Sequence, residues 1–178
     1  MGALAARSGS GVPNVAPAAA ALMAAISEMV HAGRISQAQI MRLDMPVHEH
    51  SMEEVERVFA EVEEVWGKEV CFEKMIQHPA IAELEAKKKA ERVDLEELSK
   101  EYASTVIDWV MSPFTWFFVK ALRAGNGGMD EEEMFASMTA EEEGLVDEFA
   151  ERAKRVFVRD QRDGIAEQCY IYFKLVRK

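Results

Sequence analysis

The chain has 178 residues, 49% of them hydrophobic and 30% charged, and a net charge of −11. That balance excludes global disorder and allows one domain with a real core, while the negative charge excludes sequence-independent binding of nucleic acid across the whole surface. Two cysteines, Cys71 and Cys169, are too few for a disulfide framework and point to reduced thiols in an intracellular compartment, cytoplasm or organelle interior.

Residues 1–16 read as a flexible leader rich in Ala, Gly, Ser and Pro, with Arg7 its lone charge. No charged n-region followed by a compact apolar stretch is present, so no secretory signal fits. Residues 17–178 read as a single helical domain, with a candidate sub-boundary at Gly125-Asn126-Gly127-Gly128. Pro17 suits a first helical position and Gly33 a C′ position, which predicts a helix over Ala18–Ala32. Five capping boxes follow, at Ser36…Gln39, Ser51…Glu54, Asp94…Glu97, Asp130…Glu133 and Thr139…Glu142.

From Ser51, Val55, Val58, Phe59, Val62, Val65 and Trp66 recur at the 3.6-residue period, which predicts one amphipathic helix reaching towards His78-Pro79. A polar helix over Ala80–Arg92 leads to the apolar block Ala103–Leu122, where Pro113 is expected to divide the helix with Ser112 as a local cap. Only Thr105, Asp108, Ser112 and Thr115 make a polar stripe on that block. Two more helices are expected, over 131–138 and 140–159. Ile165–Val176 fits a helical stripe, although Tyr170–Phe173 would suit a strand. Helix is favoured because the sequence offers no second strand to pair with it.

Several constellations hold residue types that could carry chemistry. Glu28-Met29-Val30-His31 has the E-x-x-H spacing of di-iron bundles but no second copy. His48-Glu49-His50 lacks a regularly spaced third ligand. Neither cysteine has a base assigned by spacing, and Asp160–Ile165 lacks two carboxylates that a calcium loop needs. Gly125–Gly128 lacks the Lys-Ser/Thr of a phosphate loop. Residues 125–151 carry ten acidic and no basic side chains and 152–178 eight basic and three acidic, a pattern that fits two helices facing each other or two separate partner surfaces.

The aromatic block therefore carries the functional expectation. Phe114, Trp116, Phe117 and Phe118 span more than a full turn, so one flat core cannot cover them all. The expectation is an all-α, irregular bundle of five to seven helices without metal or organic cofactor. It would be a non-enzymatic accessory or structural subunit, docking onto another protein or larger complex through Trp109, Phe114, Trp116, Phe117 and Phe118. Peripheral membrane contact by the same block stays open, since Trp109, Trp116 and Lys120 suit headgroups, but Asp108 and Pro113 interrupt it too soon for a confident transmembrane span. The alternative is a helical domain, enzymatic or not, that binds a small ligand or cofactor in a pocket walled by the same block, with Asp108 as its polar group.

Overall fold

Three of the five capping boxes form as their spacing predicts. In each, the Ser36, Ser51 or Thr139 hydroxyl accepts from a backbone N–H three residues on, while Gln39, Glu54 or Glu142 accepts from the cap's own N–H. The other two, at Asp94 and Asp130, lie outside the residues described by the computed structural model, which are 2–4, 16–43, 50–76, 79–89, 95–124, 136–161 and 168–178. The element order is β1 (Gly2–Leu4), α1 (Ala16–His31), α2 (Gln37–Ile40), α3 (Met52–Val62), β2 (Trp66–Ile76), α4 (Pro79–Lys89), α5 (Leu95–Ala124), α6 (Ala140–Asp160) and β3 (Gln168–Arg177). The described chain is mostly helical, but it is not all-α: it includes a three-stranded antiparallel sheet in the order β1-β3-β2.

The chain divides into two compact units. The first comprises 1–16, 47–82 and 165–178 and contains the sheet. Here the helical reading of 165–176, and of the stretch following Val62, is corrected. Trp66–Ile76 and Gln168–Arg177 are strands that pair with each other, Cys71 opposite Phe173 and Glu73 opposite Ile171, with a bulge between Lys68 and Val70. The partner that Tyr170–Phe173 needed lies about a hundred residues upstream, beyond the reach of any local period. Gly2–Leu4, inside the segment read as a leader, pairs with β3 from Tyr172 to Tyr170.

On one face of this sheet, Ile171 packs with Val55 and Phe59 of α3, joined by Met52, Cys71, Phe173 and Leu175. The Phe59 and Phe173 rings meet edge-on at 5.0 Å. Alternation along β3 places Ile171, Phe173 and Leu175 on that face and Tyr170, Tyr172 and Val176 on the other.

In the second unit, 17–46 and 83–164, the described residues are mostly helical. Helix α1 buries Ala18, Ala21, Leu22, Ala25, Ile26 and Met29, and the small alanines let neighbouring backbone come close. It stops at Gly33, whose φ of +67° is the left-handed conformation that favours glycine. The Gly33 N–H donates to the Val30 carbonyl and the Arg34 N–H to the Met29 carbonyl, the paired closure of a Schellman motif. Helix α6 runs from its Thr139 cap through Phe149, Ala153, Val156 and Phe157, all buried. Residues 136–138 are not helical, and the remainder of the expected helix 131–138 lies outside the described residues.

Helix α5 is continuous across Pro113, contrary to the expected division at Ser112. An internal proline removes one N–H and typically costs about 3 kcal/mol. Both Ser112 and Pro113 sit on the exposed side. The opposite side buries Val106, Ile107, Met111, Phe114 and Phe118 on both flanks of the proline. At about 1.5–3 kcal/mol for each large apolar side chain removed from water, that burial outweighs the missing bond.

Candidate functional site

The aromatic block resolves into an inner and an outer part, and the helical period decides which residue goes where. Phe114 and Phe118, four apart, point inward onto Phe149 of α6, with ring centroids at 5.8 and 4.6 Å. Phe118 and Phe149 are fully buried. Trp116 lies on the opposite side of α5 and is 40% exposed. Trp109, seven residues earlier and hence on nearly the same side, is half-buried, as is Phe117. The five residues singled out from the sequence are thus not one surface. Two are core, and Trp109 and Trp116 share an outward stripe with Lys120.

Two ionic contacts frame this stripe. Lys154 of α6 reaches Asp108 at 3.0 Å and Glu151 at 3.1 Å. Burial pulls the Lys154 ammonium down, but its bonds to the two carboxylates outweigh that and hold it above the usual lysine range. The Ser104 hydroxyl also donates to Asp108, at 3.1 Å. Thr105 and Thr115 turn their hydroxyls back onto the Glu101 and Met111 carbonyls, so the polar stripe of α5 is satisfied largely within the helix.

The second contact is more enclosed. Arg123, near the end of α5, grips Glu142 with both arms, Nε to Oε1 at 2.6 Å and Nη2 to Oε2 at 2.8 Å. It also donates to the Ala136 and Ser137 carbonyls, at 3.1 and 3.0 Å, closing the chain just before α6. The guanidinium stands 5.6 Å from the Trp116 ring centroid. Hydrogen bonds from Arg123 outweigh burial and lower the Glu142 carboxyl from 4.5 to about 2. Arg123 thus touches both the Trp116 ring and the start of α6.

Two further basic residues of α6, Arg152 and Arg159, are also engaged internally. Arg152 bonds Glu148 at 2.8 Å and approaches Glu28 of α1, Arg159 bonds Glu28 at 3.1 Å, and Arg34 bonds Glu148 at 2.8 Å. The expected pair of facing helices is thereby corrected: 140–151 and 152–160 are one helix, α6, whose Arg152, Lys154 and Arg159 meet carboxylates of α1, α5 and α6 itself. Glu28 of the E-x-x-H is therefore a partner of arginines, and His31 Nδ1 lies 2.7 Å from the Ser27 carbonyl. Among the described residues, no group of three or more His, Cys, Asp or Glu is placed to hold a metal ion. His48, Glu49 and Gly125–Gly128 lie outside the described residues, as does most of Asp160–Ile165. Among the described residues, no helix is long and apolar enough to cross a membrane.

The sheet adds aromatic surface that helical reasoning overlooked. Phe72 of β2 stacks on Tyr172 of β3 at 5.6 Å, Tyr170 adjoins at 6.3 Å, and Phe72 and Val70 are 47% and 39% exposed. The aromatic and β-branched run Tyr170–Phe173 held the signal, but it lacks a clean apolar alternation and its partner strand lies about a hundred residues upstream.

No protein-family model matches the chain. Along most of its length, however, it is similar to proteins named methyltransferases. It is 34% identical over 172 residues to an O-methyltransferase of Aspergillus aculeatus, an alignment covering 96% of this chain and 44% of that protein. It is 30% identical over 154 residues to a methyltransferase of Gibberella moniliformis, covering 86% of this chain and 40% of the relative. A methyltransferase of a Fusarium species is 29% identical over 171 residues, 96% of this chain and 45% of its own. The chain thus spans less than half the length of the curated relatives it matches.

These similarities correct the reading of a non-enzymatic accessory or structural subunit whose chief partner is another protein. The relatives carry the name of an enzymatic activity, and their similarity extends over nearly all of this chain. Of the five residues expected to dock, Trp109, Phe114, Trp116, Phe117 and Phe118, the structure places Phe114 and Phe118 in the core.

One common way to hold a nucleoside-based cofactor is a glycine turn at the end of a strand with a helix N-terminus beyond it, an arrangement of parallel α/β folds. The described strands are antiparallel, and the described glycines stand within β1 (Gly2), after α1 (Gly33), within β2 (Gly67) and in α6 (Gly144). The described residues do not form that arrangement.

Proposed function

We propose that this chain serves methyl transfer to an oxygen of a small organic acceptor, contributing the apolar surface on which the acceptor lies. The similarity to the Aspergillus aculeatus O-methyltransferase over 96% of the chain carries this reading. Oxygen methylation requires an acceptor hydroxyl to be held with its lone pair towards the methyl carbon, so orienting the acceptor is a substantial part of the work.

Trp109 and Trp116 are the residues of α5 suited to it. They share one side of the helix, about 10 Å apart along its axis at 1.5 Å per residue, Trp109 half-buried and Trp116 40% exposed. Flat indole faces favour planar aromatic acceptors bearing hydroxyl groups. Arg123 is a positioning residue, acting through the Trp116 ring it covers. Asp108, held by Lys154 and Ser104, keeps its carboxylate beside the stripe as an acceptor for a ligand hydroxyl.

Tryptophan emission tests this placement. Titrating hydroxylated aromatic acceptors should quench emission saturably in the full chain, and Trp116→Ala should weaken binding about tenfold, the equivalent of about 1.4 kcal/mol. Equal affinities for the parent and both the Trp109→Ala and Trp116→Ala variants would remove these residues from the site.

A further inference from the structure

No further inference is drawn: the strongest candidate, the face of the β1-β3-β2 sheet that carries the stacked Phe72 and Tyr172 rings beside exposed Val70 and Val176, is an apolar face on which, among the described residues, nothing shows what covers it.

Discussion

Replacing Arg123 by Ala should be the most damaging polar substitution in the helical unit. The change removes two charge-assisted bonds to Glu142 and two bonds to the Ala136 and Ser137 carbonyls. It also leaves Glu142, whose side chain is only 14% exposed, without its counter-charge. Removing one partner of an enclosed ion pair typically costs about 3–5 kcal/mol, and this pair's residual contact with water puts the expectation at about 3 kcal/mol. For a chain of this size each kcal/mol lowers the melting midpoint by about 2–4 °C, so a fall of about 6–12 °C is expected by circular dichroism at 222 nm. Glu142→Ala should cost somewhat less, because the arginine can turn towards water, and the double variant should resemble Arg123→Ala alone. The same pair sets an acid limit. The Glu142 carboxyl is lowered in the folded state, so its contribution is complete above the ordinary value of 4.5 and is lost as pH falls from there through about 2. Strictly additive single-variant costs, or a midpoint flat between pH 5 and 3 relative to Glu142→Gln, would refute the idea that this contact ties α5 to α6.

Other consequences are simpler to check. Phe118→Ala should cost about 3–5 kcal/mol in thermal unfolding, because the ring is fully buried on Phe149, whereas Trp116→Ala should cost about 1 kcal/mol or less. Asp108→Asn breaks a contact whose carboxylate is 57% exposed, so its melting midpoint should stay within about 2 °C of the parent. Deleting residues 1–5 turns β3 into an edge strand, and amide exchange at 170–172 should quicken while exchange in α6 stays unchanged.

What could be read from the sequence, and what could not, divides along the range of the interactions. Helix starts at Ser36, Ser51 and Thr139 and the stop at Gly33 were legible because each rests on bonds made within six residues. The burial of Phe118 with exposure of Trp116 was foreshadowed by the wheel, which cannot turn four aromatics inward at once. The strands were not legible. β2 and β3 are joined by pairs such as Cys71 with Phe173, and neither alternates cleanly enough to stand alone. Val65 and Trp66 continue the helical period of α3 by coincidence, although the helix ends at Val62. The proline at 113 misled because the local cost is visible in sequence while the compensating burial is not. The methyl-transfer reading had no local signal at all: the sequence carries no metal triad or nucleophile–base pair whose spacing announces it, and only likeness to proteins named methyltransferases raised it.

The central proposal is that this chain holds the acceptor for oxygen methylation on Trp109 and Trp116, and acceptor binding tests it most directly. The full chain would be titrated with a panel of planar hydroxylated aromatic acceptors, followed by tryptophan emission and by calorimetry. Saturable binding of at least one acceptor is expected, weakened about tenfold by Trp116→Ala. Absence of binding by every acceptor, or affinities unchanged in both the Trp109→Ala and Trp116→Ala variants, would contradict it.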